Sequence, residues 1–212
     1  QDSKKAVEWY EKAAAQGFAD AQYNLGIMYA SGQVVKQDYN KAKEWFEKAA
    51  AQDDTEAQYN LGFLYYNGEG VKQDYLKAKE LYEKAATQGY AGAQNNLGVM
   101  YANGYGVKQD YKKAIEWYEK AATQGYAMAQ YNLGFLYANG QGVKQDYFKA
   151  KEWYEKAAAK GHADAQNNIG FLYANGQGVK QDYKKAIEWY EKSAAQGNVN
   201  SQYNLGIMYE NG

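Results

Sequence analysis

The chain has 212 residues and a net charge of −1, because 24 basic residues are balanced by 25 acidic ones. Proteins that bind nucleic acid mainly by neutralising phosphates carry a clear basic excess, so this balance predicts no nucleic-acid partner. No apolar run approaches the roughly 18 residues of a membrane-spanning helix, which predicts no membrane insertion.

The sequence is poor in residues that perform catalysis or bind metals. It has no cysteine and a single histidine, His162, which removes thiol chemistry and most metal or acid–base schemes that need imidazole. We therefore expect no catalytic residue, no cofactor and no bound metal. The chain begins at Gln1 without a starter methionine or a signal-like segment, which is typical of an excised or processed fragment. The compartment is therefore open: cytoplasmic, or periplasmic or secreted if a signal peptide was removed.

One pattern recurs along the chain with a period of 36 residues. The tyrosines at this step are Tyr29, Tyr65, Tyr101, Tyr137, Tyr173 and Tyr209. The apolar spacing within each period predicts a pair of helices. In chain order the sequence predicts a single solenoid over 1–212, made of a lone second helix at 2–16, five helix pairs at about 18–52, 54–88, 90–124, 126–160 and 162–196, and a lone first helix at 198–211.

Each predicted helix has one apolar face. In the first pair, Ala21 and Leu25 lie four residues apart on the first helix, and Trp45 lies on the apolar face of the second. We expect the tryptophan and tyrosine series to form the core. On every second helix a glutamate precedes a lysine by four residues, as Glu44 precedes Lys48, and this spacing predicts ion pairs.

The loop that joins the helices of a pair, "NGQGVKQD" in two copies, contains glycines, a lysine and an aspartate. A phosphate-binding loop needs a lysine followed by Ser or Thr at a helix start, and a calcium loop needs alternating oxygen ligands. The loop has neither pattern and occurs five times. We therefore interpret it as a structural connection that ends one helix and starts the next. Asp38 is well placed as an N-cap and Gly32 as a left-handed helix end.

The string "AQYNLGxxYxNGxGVxQDYxKAxEWYEKAAxxG" closely resembles the Sel1-like repeat (SLR), a relative of the tetratricopeptide repeat. The match covers essentially the whole chain. The resemblance implies an all-α, right-handed α/α superhelical solenoid whose first helices line a concave surface. It also implies a bacterial scaffold or adaptor that binds proteins or peptides. Some cysteine-rich relatives are associated with cell-wall binding, and the absence of cysteine argues against that branch here.

Residues of the first helices that point away from the core define a predicted peptide-binding groove. Its first row is Tyr23, Tyr59, Asn95, Tyr131, Asn167 and Tyr203, its second row includes Phe63, Phe135 and Phe171, and an asparagine ladder runs through Asn24, Asn60, Asn96, Asn132 and Asn168. We expect recognition mainly from the tyrosine row, while the phenylalanine row also packs against neighbouring repeats. The ladder has two interpretations: it binds a peptide, or it holds the protein's own backbone.

The sequence therefore predicts a non-catalytic scaffold that binds a peptide or protein segment in this groove. One alternative is a self-assembling solenoid, because a chain with complementary half-repeats at its two ends can continue head to tail. A cell-wall-fragment binder and a nucleic-acid binder are the remaining alternatives. Helical repeats can read one base per unit, but this chain has no arginine and almost no net charge.

Overall fold

The computed structural model describes residues 3–211, and all regular structure in this range is α-helical. The helices are α1 (Ser3–Ala15), α2 (Ala19–Ser31), α3 (Tyr39–Ala50), α4 (Thr55–Asn67), α5 (Tyr75–Thr87), α6 (Ala91–Asn103), α7 (Tyr111–Thr123), α8 (Ala127–Asn139), α9 (Tyr147–Ala158), α10 (Ala163–Asn175), α11 (Tyr183–Ala194) and α12 (Val199–Asn211). The predicted start of the lone second helix, at residue 2, lies outside the described residues. The all-α prediction is confirmed.

The even-numbered helices are the first helices of the repeat and the odd-numbered helices are the second helices. The chain forms two compact units, Gln1–Gln109 and Asp110–Gly212, called unit 1 and unit 2 below. Within each unit, every helix packs against the next helix along the chain. The single solenoid over 1–212 stays a prediction, because each unit is described by itself.

The loops end one helix and start the next, as predicted. The side chain of Asp38 accepts hydrogen bonds from the backbone N–H groups of Asn40 and Lys41 at 3.0 and 3.1 Å, which satisfies the free donors of the first turn of α3. Gly32 ends α2 in the left-handed conformation, with φ of 67°. In the next loop of this kind, between α4 and α5, Gly70 has φ of 67°, and a Cβ there would lie 2.7 Å from the carbonyl carbon of Tyr39. Close backbone packing therefore explains this glycine.

A glutamine clamps each of these loops, a role that the sequence did not reveal. In the first loop Gln37 Nε2 donates to the carbonyl oxygen of Ala30 at 2.8 Å and to the hydroxyl of Tyr39 at 3.0 Å. Gln145 makes the same two bonds in unit 2, to Ala138 at 2.7 Å and Tyr147 at 3.0 Å. The clamp ties the end of a first helix to the start of the second.

The core contains one aromatic residue of each second helix from α3 to α11, and where both helices lie in one unit this residue packs on a glycine of the preceding first helix. The buried aromatic residues are Phe46, Tyr82, Tyr118, Tyr154 and Tyr190, all at most 4% exposed. A Cβ at Gly62 would lie 2.8 Å from Cε1 of Tyr82, and one at Gly170 would lie 2.7 Å from Cδ1 of Tyr190. The glycine therefore creates the space that the ring fills.

The tryptophan series lies nearer the surface than we expected. Trp9 is 66% exposed and Trp45 is half-buried. The lysine three residues later covers each indole: Lys48 Nζ lies 4.0 Å from the centroid of Trp45, and Lys156 Nζ lies 4.1 Å from that of Trp153. The expected Glu44–Lys48 type of ion pair is thus replaced by a cation–π contact.

Glutamines at the starts of the first helices connect consecutive repeats. Gln22 Nε2 donates to the carbonyl oxygen of Ala14 at 3.1 Å, and its Oε1 accepts from Gln52 Nε2 at 2.8 Å. This glutamine series therefore has a structural role. In unit 2, position 160 is a lysine, and the buried Oε1 of Gln130 has no hydrogen-bond partner among the described residues.

Candidate functional site

The tyrosine row of the first helices packs against the buried rings of the second helices. Ring centroids are separated by 6.1 Å for Tyr23 and Phe46, 5.8 Å for Tyr59 and Tyr82, and 5.8 Å for Tyr131 and Tyr154. All three row tyrosines are half-buried, and burial, reinforced by Glu56, raises the pKa of Tyr23 to about 12. Tyr203, at the same place of α12, is 70% exposed. Most of the row therefore contributes to the fold.

Two members of the row also hold consecutive repeats together. In unit 1 the ring centroids of Tyr59 and Tyr90 are 4.8 Å apart, and in unit 2 Tyr131 stacks on His162 at 4.6 Å. His162 Nδ1 accepts the N–H of Ala165 at 3.3 Å, so the imidazole caps α10. Burial lowers the pKa of His162, although Asp164 opposes the shift.

Asparagine replaces tyrosine twice in this row, and both amides bond inside the protein. Asn95 is 4% exposed, and its Nδ2 donates to Asn96 Oδ1 at 3.4 Å. Asn167 Oδ1 accepts from Ser201 Oγ at 2.8 Å and from Asn204 Nδ2 at 3.2 Å. These two positions form internal polar links.

The asparagine ladder also makes bonds within the protein. Asn60 Nδ2 donates to the carbonyl oxygen of Glu56 at 2.8 Å. Burial raises the pKa of Tyr154, and a hydrogen bond with the Asn168 amide opposes that rise. The ladder residues Asn24, Asn96 and Asn132 are half-buried. Of the two interpretations of the ladder, these contacts support the structural one.

The phenylalanine row is the exposed apolar part of this face. Phe63 is 41% exposed, Phe135 is 43% exposed and Phe171 is 48% exposed. Beside them, the Nδ2 groups of Asn139 and Asn175 donate to the carbonyl oxygens of Phe135 and Phe171, both at 2.8 Å. On such a surface the phenylalanine rings can bury apolar area against a partner, and the neighbouring amide oxygens can accept hydrogen bonds from its backbone.

A cavity of about 320 Å³ opens beside these phenylalanines in unit 2. Three of the predicted site residues line it together, namely Phe135, Asn168 and Phe171. Sequence reasoning missed the other six residues of its wall, among them Ala138 and Gln177. Ligand sites usually start at about 300 Å³, so this cavity is of the size that accepts one side chain with its flanking backbone.

Gln177 gives this cavity an unusual polar group. Its Oε1 is buried and has no hydrogen-bond partner among the described residues. A buried acceptor that lacks a donor costs about 1–3 kcal/mol. The terminal torsion of a glutamine side chain has a broad energy profile, so a small rotation can turn this oxygen toward a donor that enters the cavity.

One of the two equivalent places in unit 1 is filled by two tyrosines, whereas the other has Ala30 and Glu69. Tyr66 stands where unit 2 has Ala138, and Tyr105 stands where it has Gln177. The ring centroid of Tyr66 lies 5.3 Å from Tyr75, 6.4 Å from Tyr82 and 6.0 Å from Tyr105. The unit 2 equivalents of these three residues, Tyr147, Tyr154 and Gln177, all line the cavity. The cavity therefore occupies the space that the Tyr66 ring fills in unit 1.

The described part of the chain shows no cluster of His, Cys, Asp or Glu that could hold a metal ion. Within residues 3–211 no helix has both the length and the apolarity that crossing a bilayer requires. The loop lysines at the row of Lys36 are exposed: Lys36, Lys72, Lys108, Lys144 and Lys180.

The Sel1 repeat family model matches the chain at residues 1–18, 19–54, 55–90, 91–126, 127–162, 163–198 and 199–212. A protective antigen of uropathogenic Escherichia coli with an SLR fold is 39% identical, with a TM-score of 0.92; the match covers 99% of this chain and 45% of that one. A Sel1 repeat protein from Oxalobacter formigenes is 39% identical, with a TM-score of 0.91, over 98% of this chain and 84% of that one.

An immunity protein from Pseudomonas aeruginosa is 25% identical, with a TM-score of 0.61, over 95% of this chain and 76% of that one. No curated protein matches the chain significantly. The solenoid fold class predicted from the 36-residue repeat is confirmed by these structures.

Proposed function

Because the chain belongs to the Sel1 repeat family, we propose that it is a non-catalytic protein-interaction module that binds a peptide segment on the face of its first helices. The observation that carries the proposal is the row of exposed phenylalanines on that face. Folding normally buries such side chains, so several exposed phenylalanines at repeat spacing indicate a surface that a partner covers.

In this proposal the predicted site residues have different roles. Phe63 provides contact surface in unit 1, and Phe135 and Phe171 provide it in unit 2. Tyr59 and Tyr131 lie against the second helices and support that surface from below. The contact surface is thus rigid, which lowers the entropy lost when a peptide binds.

The test is selection from a random peptide display library on the purified chain. Peptides enriched by the wild type should bind the double variant Phe135→Ser with Phe171→Ser at least about tenfold more weakly, because two anchors of the contact surface are lost. The matched control is Phe148→Ser, which removes a 60% exposed phenylalanine from the second helix α9. That variant should bind normally.

Circular dichroism and thermal unfolding of all variants separate lost binding from lost folding. The proposal is wrong if no peptide is enriched, or if Phe148→Ser weakens binding as much as the double variant does. Head-to-tail self-association stays a prediction. Sedimentation velocity of the free chain over a range of concentrations measures it and shows whether copies of the chain compete with the peptides.

A further inference from the structure

We propose that the cavity of unit 2 is a subsite for a tyrosine side chain of the bound peptide. This inference rests on the proposed function and adds a sequence requirement to it. Its basis is a difference between two repeats at the same position. In one repeat the space is filled by the protein's own tyrosine ring, and in the other it is open.

The shape of the cavity fits an aromatic ring. In unit 1 the ring of Tyr66 lies among Tyr75, Tyr82 and Tyr105. In unit 2 a methyl group at Ala138 replaces that ring, while Tyr147 and Tyr154 keep the walls of the space. A ring that enters from a partner makes the contacts that Tyr66 makes within unit 1, in offset or edge-on geometry.

The polarity of the cavity selects tyrosine over phenylalanine. The Oε1 atom of Gln177 is a buried acceptor without a donor, and Gln177 is part of the wall. A phenol hydroxyl supplies the missing donor, whereas a phenyl ring leaves the oxygen unpaired. A charged side chain fits poorly, because the described residues that line the cavity include no Lys, Asp or Glu that could pair with it.

The occupant arrives as part of a peptide because the cavity opens next to the exposed rings of Phe135 and Phe171. A chain that lies over these rings places one side chain in the cavity and its neighbours on the phenylalanines. Asn139 and Asn175 use their Nδ2 groups on the carbonyl oxygens of Phe135 and Phe171, which leaves their amide oxygens to accept backbone N–H groups of the peptide.

The first experiment measures binding of N-acetyl-tyrosinamide and N-acetyl-phenylalaninamide to the whole chain by saturation-transfer NMR titration. The wild type should prefer the tyrosine amide by roughly three- to tenfold, the value of one hydrogen bond. Gln177→Met, which keeps the length of the side chain but removes the acceptor, should bind both amides equally. Equal affinity of the wild type for the two amides would overturn the assignment of Gln177.

The second variant is Ala138→Tyr, which closes the cavity with a side chain that unit 1 already holds at the same place. It should fold normally and lose binding of both amides. Unchanged binding by Ala138→Tyr would show that the amides bind elsewhere and would refute the subsite.

Peptides selected in the display experiment separate this inference from the proposed function. If they contain tyrosine and Ala138→Tyr weakens their binding at least about tenfold, both proposals stand. If they bind the phenylalanine row but are indifferent to Ala138→Tyr, the interaction module stands and the tyrosine subsite is wrong.

Discussion

In unit 1 the space beside Tyr82 is filled by the rings of Tyr66 and Tyr105, whereas in unit 2 the equivalent space beside Tyr154 is a cavity of about 320 Å³. The helices, loop clamps and buried rings around the two places are the same. Two side chains, Ala138 and Gln177, account for the difference. Alanine and glutamine are the common residues at these two positions of the repeat. The comparison therefore teaches that the usual repeat leaves this space open, and that it is closed where Tyr66 and Tyr105 depart from the common pattern.

The largest effect expected from this comparison comes from removal of the buried tyrosine beside each space, Tyr82 in unit 1 and Tyr154 in unit 2. Tyr82→Ala should lower the free energy of unfolding by about 3–5 kcal/mol, because Tyr82 is fully buried and packs on Tyr59 and Tyr66. Tyr154→Ala should cost roughly 1 kcal/mol less, since one side of Tyr154 already faces the cavity and has fewer contacts to lose. Urea denaturation measures both.

The control for these two variants is Tyr203→Ala, which removes a tyrosine that is 70% exposed and should change stability little. Equal losses for Tyr82→Ala and Tyr154→Ala would contradict the view that the two places are packed differently.

A second difference between the units concerns the glutamine series. In unit 1 Gln88 Nε2 donates to Gln58 Oε1 at 3.0 Å, whereas in unit 2 Lys160 stands at the donor position and Gln130 Oε1 is unpaired. Lys160→Gln should therefore raise the free energy of unfolding by about 0.5–1.5 kcal/mol. Lys160→Met is the matched control, because it removes the charge without adding a donor. A gain from the methionine variant as large as that from glutamine would rule out the hydrogen bond as the cause.

The smallest expected effect is a dependence of stability on pH that arises from His162, the single histidine, which lies in unit 2. Burial lowers the pKa of His162 below its unfolded value of about 6.5, so the unfolded chain takes up the proton first as the pH falls. The stability that this neutral imidazole contributes is present above pH 6.5 and is lost as the pH falls toward the lowered pKa. Unit 1 has Tyr90 at the same place and therefore no imidazole there.

Thermal unfolding at pH 7.5 and pH 5 should show a small loss for the wild type and a smaller one for His162→Tyr, which copies the unit 1 pair of Tyr59 and Tyr90. An identical loss in the two proteins would mean that the carboxylates, rather than His162, cause the pH dependence.

The sequence was sufficient to predict the helices, their ends and the repeat, because these depend on local chemistry. Asp38 caps a helix through its own side chain, and Gly32 ends one through its own backbone. Such features need only the few residues around them.

The sequence was insufficient to rank the aromatic residues by depth. Trp45 and Phe46 are neighbours on one broad apolar face, and helix periodicity does not distinguish them. Phe46 is the buried one because Gly26, on another helix, leaves room for its ring. Helix periodicity also fails to distinguish the tyrosine row from the phenylalanine row. It predicts recognition mainly from the tyrosines, whereas in the structure the phenylalanines are the more exposed.

The site itself lay only partly within reach of sequence reasoning. Phe135, Phe171 and Asn168 were selected because they point away from the core of the first helices. The repeat pattern does not single out Ala138 or Gln177, because small alanines and surface glutamines are common at these two positions of the repeat. The signal in the sequence is the departure in unit 1, where Tyr66 and Tyr105 replace them.

The glycine beneath a buried ring also makes its own helix depend on its neighbours. Gly62 lies inside α4, where a glycine costs about 1 kcal/mol of helix propensity relative to alanine. A helix of this length with an internal glycine does not persist alone in water. The helical state of α4 therefore requires packing against neighbouring helices, and the ring of Tyr82, 20 residues later, supplies part of that packing. The residue that weakens the isolated helix is thus the one that makes it cooperate with the next.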